Sequence, residues 1–104
     1  MENNFKLIYT PISKSDLIDI LDYITEDDVD VALNYVSKLE KIIGGLCAQP
    51  YKGVPHPDPN LRIKGYRILI IDNYHVYYKP IERKETCTIY RILSKYMDHT
   101  DLLK

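Results

Sequence analysis

The chain predicts an α+β fold of order β-α-α-β-β-β, with two N-terminal helices packed on one face of a small, mainly antiparallel four-stranded sheet. Three observations predict it. Apolar residues recur at helical spacing between Ser13 and Leu46, they alternate at strand spacing from Leu61 to Ser94, and turn-length connections join the strand-like runs. With 104 residues, 45% hydrophobic and 28% charged, residues 1–104 read as a single domain able to bury a core without staples. No composition shift marks an internal boundary, and there is no internal repeat.

Phe5–Pro11, FKLIYTP, is a short aromatic and branched run closed by proline and reads as the first strand. SKSDLIDILDYITED then changes period: Leu17, Ile20, Leu21 and Ile24 form one helical stripe, Ser13 and Asp16 have the spacing of a capping box, and Asp16, Asp19 and Asp22 are expected to face water. Asp28 is the expected cap of a longer second helix, whose Val29, Ala32, Val36, Leu39, Ile43 and Leu46 fall on one face. Gly44 and Gly45 weaken its last turn. Four prolines in QPYKGVPHPDPN end it, and leave an extended loop with little room for helix. LRIKGYRILIID alternates about Gly65 as a strand, DNY is a turn, HVYYKP a second strand, IERKE a charged loop and TCTIYRILS a third strand. These three make an antiparallel meander to which the N-terminal strand adds at an edge or in the middle. Thr100–Lys104 reads as a short terminal helical turn. With both long helices on one face, the other face of the sheet is partly open.

Composition removes several classes of function. No stretch approaches the ~20 apolar residues of a membrane span, and the acid and amide residues of MENNFKLIY are unlike a secretory signal, so a cytoplasmic location is expected. Cys47 and Cys87 stand apart, and His56, His75 and His99 are scattered, so the cysteines read as small buried thiols and neither a metal nor a cofactor is expected. The formal net charge is only −1, yet residues 1–45 hold nine Asp/Glu against four Lys/Arg, whereas residues 60–96 hold three against eight. One surface is therefore suited to an anion or an acidic partner.

That basic half interleaves Arg62, Lys64, Arg67, Arg91 and Lys95 with Tyr66, Tyr77, Tyr78, Tyr90 and Tyr96, all expected on strands or at strand ends. Cations with aromatics on a sheet suit a phosphodiester chain with unstacked bases. The plainer reading is a small tyrosine-rich core beneath a solvated face of arginines. Strand parity leaves both open, since it sets Arg67 with Leu69 and Ile71, and Arg91 with Ile89 and Leu93.

LCAQPYKG, then LRIKGYRILIIDNYHVYYK, then TIYRILSKYMD resemble in order and spacing the RelE/ParE toxins of bacterial type II toxin–antitoxin modules. These commonly show a Pro-x-x-Gly loop after the second helix, a "YR" strand and a final "YRIL" strand. The resemblance covers nearly the whole chain. It implies a small toxin neutralised by a cognate antitoxin whose flexible C-terminal segment wraps it. In the RelE branch the target is messenger RNA on the ribosome; in the ParE branch it is DNA gyrase, inhibited without catalysis. The first expectation is a ribosome-dependent mRNA endoribonuclease. The alternatives are the gyrase inhibitor and an inactive toxin fold that only binds antitoxin.

RNA cleavage by attack of a 2′-hydroxyl needs a base, an acid and cations for the charged transition state. On the resemblance, Arg67 is the first candidate for a phosphate clamp, with Arg62 and Lys64 beside it, and Arg91 is a second. Lys95 is a candidate electrostatic stabiliser. Relatives carry a proton-transfer residue where this chain has Ser94, and a tyrosine where it has Ile70. Tyr96 and His99, two and five residues beyond Ser94, are the candidate replacements.

Overall fold

The computed structural model describes residues 4–97 and 99, so the expected helical turn at Thr100–Lys104 lies outside the described residues. The elements run β1 (Lys6–Tyr9), α1 (Pro11–Thr25), α2 (Val29–Gly44), β2 (Val54–Pro55), α3 (Pro59–Ile63), β3 (Arg67–Ile71), β4 (Tyr74–Ile81) and β5 (Thr86–Ser94). They build one sheet of order β1-β5-β4-β3-β2. The β3–β4–β5 meander is antiparallel as expected. β1 settles the open question of its place by joining the edge, parallel to β5, in register from Lys6 opposite Thr86 to Tyr9 opposite Ile89. The fifth strand, β2, was not expected. It arises where Pro55 forces Val54 into extended backbone, and a proline is tolerated because this is the sheet's outer edge.

Helix α1 begins earlier than the expected capping box. Thr10 is the cap: its Oγ1 accepts from Ser13 N–H at 3.2 Å, and Pro11 takes the first helical position, where a missing N–H costs nothing. Ser13 is fully buried and its hydroxyl donates to the Thr10 carbonyl. The α2 cap is Asp28, whose Oδ1 accepts from Val31 N–H. On the expected α2 face, Ala32, Leu39 and Ile43 are fully buried, as is Leu46 just beyond, while Val29 at the helix start is exposed. Leu39, Ile43 and Leu46, together with Leu17 and Ile20 of α1, pack on Leu69, Ile71, Val76, Tyr78, Ile89 and Ile92 of the sheet. Each fully buried aliphatic side chain there contributes about 1.5–3 kcal/mol.

Three further expectations change in the structure. Asp16 does not face water: it is buried against β5. Leu61–Ile63 is helix α3 rather than strand, which removes Arg62 and Lys64 from the sheet. Its cap is Asp58, with Pro59 at the first position, and Gly65 follows at φ +96°. Gly65 N–H donates to Arg62 C=O and Tyr66 N–H to Leu61 C=O, the paired bonds of a Schellman ending, which require a residue at positive φ. Finally, Tyr90 is a β-bulge: Tyr77 pairs with Arg91 but Tyr78 pairs with Ile89. The extra residue breaks the strand parity, so Ile89 and Ile92 share the helix side, and Leu93 joins Ile68 and Tyr77 in a second buried cluster on the opposite face.

Candidate functional site

The arginines expected to clamp phosphate are all engaged with oxygen atoms of the protein. Arg67 lies opposite Tyr78 in the β3–β4 ladder, so it projects on the helix side rather than the open face. Its Nε and Nη2 donate to Gly53 C=O at 3.0 and 2.7 Å, its Nη2 also reaches Tyr51 C=O at 3.0 Å, and the guanidinium lies over the Tyr51 ring. Arg62 donates from Nη1 to the His56 and Pro57 carbonyls. Arg91 forms a fork with Asp16, Nε to Oδ2 at 2.9 Å and Nη2 to Oδ1 at 3.1 Å, and this bonding raises its already high pKa. Lys64 is exposed at the end of α3. Lys95 sits over the Tyr96 ring, 5.1–5.2 Å being the range at which Lys79 and Lys95 lie over Tyr66 and Tyr96. The expected residues are thus dispersed over both faces and one edge; only Ser94, Lys95, Tyr96 and His99 share a corner.

The open face has a different centre. Tyr77 is buried, and its ring meets His56 at 5.6 Å and His99 at 5.5 Å, while His75 and His99 stand edge to face at 5.2 Å. All three histidines of the chain therefore converge on one tyrosine, which their spacing in the sequence did not reveal. His99 Nε2 is 2.7 Å from Ser94 C=O and can only donate there, so in the neutral ring Nδ1 accepts the Tyr77 hydroxyl proton at 2.6 Å. Burial pushes the Tyr77 phenol up and the His56 and His75 imidazoles down, with His99 and Lys95 adding to the effect on His75. His56 is also fixed, because its Nδ1 accepts from Asp58 N–H. Further along, Tyr66 and Tyr90 pack edge to face at 5.3 Å. The face thus offers tyrosine and histidine rings, with Lys79 over the Tyr66 ring.

The Pro-x-x-Gly loop has a structural explanation. The hydroxyl of fully buried Tyr78 donates to Pro50 C=O at 2.8 Å and accepts from Gly53 N–H at 2.9 Å. A Cβ on Gly53 would lie 2.7 Å from Ile68 O and 2.8 Å from the Tyr78 ring. Tyr78 from within and Arg67 from outside hold this loop against the sheet.

Residues 7–99 match the family model described as the ParE toxin of type II toxin–antitoxin system, parDE. The chain belongs to the ParE toxin family. Its structure resembles a chain of the chromosomal ParDE toxin–antitoxin system from P. aeruginosa, with a TM-score of 0.72 and 21% identity over 89% of this chain and 98% of the other. It also resembles a chain of the toxin–antitoxin complex RelBE2 from Mycobacterium tuberculosis, with a TM-score of 0.66 and 16% identity over 88% and 98%. No curated protein sequence matches it significantly. The α+β toxin fold and the RelE/ParE grouping expected from the sequence both stand, with a five-stranded sheet in place of four strands.

Within this ParE family member, both cysteines are free, Cys87 buried and Cys47 partly buried, and burial pushes the Cys87 thiol up to about 11. Among the described residues no group of three or more His, Cys, Asp or Glu side chains is disposed to hold a metal ion, and no helix is long and apolar enough to cross a membrane.

Proposed function

We propose that this toxin arrests growth by binding DNA gyrase, without cleaving RNA, and is held inactive by a cognate antitoxin whose flexible C-terminal segment wraps it. The carrying observation is the engagement of Arg62, Arg67 and Arg91 with protein oxygens. In-line phosphoryl attack requires cations directed at the phosphate and a free acid and base. A guanidinium already bonded to two carbonyls or forked on a carboxylate meets a phosphate only by abandoning those partners. An inhibitor that acts by contact needs neither, and a face of tyrosine and histidine rings beside Lys79 suits a protein surface, where aromatic anchors dominate binding. The match to a ParE model and the likeness to a ParDE toxin favour the same branch.

The ribonuclease reading draws on one observation, the 2.6 Å contact between Tyr77 and His99. Both ring nitrogens of His99 have protein partners and Tyr77 is buried, so the pair reads better as a fastening of His99 to the sheet than as an acid and base awaiting substrate. Two assays with one preparation separate the readings. Purified toxin is expected to block gyrase supercoiling of relaxed plasmid and to leave messenger RNA intact on programmed ribosomes. Toxin-dependent cuts in ribosome-bound message, with supercoiling unaffected, would overturn the proposal.

A further inference from the structure

The sheet divides the molecule electrically. Residues 11–44, which hold both long helices, carry eight Asp or Glu against three Lys, and they pack on the face that includes Leu69, Val76 and Tyr78. The opposite face is set by the pairs of Ile68 with Tyr77 and of Lys79 with Thr88, from which side chains alternate along each strand. The five strands contain no Asp or Glu at all, and the cations they place on this face are Lys6 and Lys79. Of the four acids in the connections from β2 to β5, three are held within the protein: Asp58 caps α3, Asp72 pairs with Lys38, and Glu82 accepts the Tyr51 hydroxyl. The open face is therefore positive where the helix layer is negative.

An apolar strip crosses this face beside the cations. Val54 lies opposite Ile68, and Ile70 opposite His75. Val54 and Ile70 are 53% and 59% exposed although Ile68 between them is buried, so aliphatic surface stands in solvent there. The Lys79 ammonium lies 5.1 Å from the centre of the Tyr66 ring, which in turn packs on Tyr90. It has no carboxylate partner among the described residues. The ring thus positions the charge and leaves its N–H donors for another molecule. Two kinds of partner suit a positive face, and the number of cations separates them. A phosphodiester chain bound tightly by charge takes about 6–10 phosphate contacts, whereas this face offers two lysines, and Arg67 and Arg91 are bonded on the helix side. Exposed aliphatic side chains with a charged margin suit a protein surface of the opposite charge.

We infer that this open face is the surface by which the toxin meets gyrase, and that the gyrase patch it takes is apolar at its centre and acidic at its margin, seating on Val54 and Ile70 and bringing a carboxylate to Lys79. The inference rests on the gyrase reading proposed above and names the surface that carries it. The acidic helix layer repels such a patch, so the charge layout also fixes which side of the toxin docks. The full toxin, as wild type and as single variants folded by circular dichroism, is titrated into supercoiling assays and onto immobilised gyrase. Ile70→Glu, Val54→Glu and Lys79→Glu are each expected to raise the half-inhibitory concentration about tenfold or more and to weaken binding in parallel. Lys79→Arg should stay within about threefold of wild type, and Asp22→Lys, on the helix layer, should leave inhibition unchanged. Inhibition by wild type with every variant equal to it would overturn the surface while the gyrase reading stands. Absence of inhibition by wild type would overturn that reading and the surface with it. Wild-type binding to an oligonucleotide without gyrase, lost in Lys79→Glu, would assign the face to a phosphodiester chain and overturn the inference, as would a dimer in sedimentation that Ile70→Glu dissolves.

Discussion

The Asp16 carboxylate accepts three hydrogen bonds, from Arg91 Nε and Nη2 and from Ile92 N–H, and so replaces a strand where β1 has ended. Side-chain exposures of 8% for Asp16 and 19% for Arg91 make this a largely desolvated pair. Removing one partner strands the other charge, so Asp16→Ala is expected to lower the unfolding free energy by about 3–5 kcal/mol in urea titrations. Asp16→Ala combined with Arg91→Met should recover part of that loss, since no unpaired charge remains. Full additivity of the two single changes would argue against coupling. Gly53 makes a second single-residue case, because an added methyl meets a carbonyl and a fixed, fully buried ring. Gly53→Ala is therefore expected to cost about 1–3 kcal/mol in the same assay, whereas a neutral result would mean that the loop can move off Tyr78.

At the scale of the element, α3 shows how a pattern can be read with the wrong period. Leu61, Ile63 and Gly65 alternate as a strand would, yet Asp58, Pro59 and Gly65 are also a cap, a first-position proline and a helix-ending glycine. The local signals for the helix were therefore present, and a five-residue element is simply too short for periodicity to decide. Gly65 differs from Gly53 in its constraint. It has room for a Cβ, the nearest atom being Lys79 Cε at 3.6 Å, but its φ of +96° is disfavoured for any L side chain. Gly65→Ala is expected to lose about 1–2 kcal/mol by thermal or chemical denaturation, and Asn, which tolerates positive φ better, should lose less. By contrast α2 was readable apart from its exposed Val29 and its last turn, because its Asp28 cap and its buried stripe are local facts. The bulge at Tyr90, the Asp16–Arg91 fork and the gathering of His56, His75 and His99 on Tyr77 depend on register between elements far apart in sequence, for which a single chain has no local sign. Of the candidate site, the residue types were legible, but their engagement was not: the arginines of the "YR" and "YRIL" strands turned out to hold a loop and a helix.

Across the whole molecule, ten tyrosines stand in for the tryptophans the chain lacks, and most of them are held protonated by the fold. Burial pushes Tyr9 and Tyr35 up to about 12 and raises Tyr74, Tyr77, Tyr78 and Tyr90, while Tyr51 is raised mainly by its hydrogen bond to Glu82. An unfolded tyrosine ionises near pH 10. Because the folded values are higher, the folded state binds more protons between about pH 10 and 12; the associated stability is complete below pH 10 and falls as the pH rises. The acid side has a weaker counterpart in Asp72, whose carboxyl is held below its usual range by Lys38 and Tyr35 at an exposed hairpin, so its contribution is present at neutral pH and lost on acidification. Alkaline loss should dominate, and Tyr9 allows it to be traced to one group. Its Oη is the buried side-chain polar atom with no hydrogen-bond partner among the described residues, so Tyr9→Phe removes an unsatisfied hydroxyl as well as a titrating one. Near pH 8 the variant is expected to match wild type or exceed it by about 1 kcal/mol in urea denaturation. As the pH rises toward 12 the gap should widen by about 2–3 kcal/mol, the two units separating folded and unfolded Tyr9. A gap that stays constant with pH would mean that Tyr9 ionises in the folded protein as it does in the unfolded chain, and that other tyrosines set the alkaline limit.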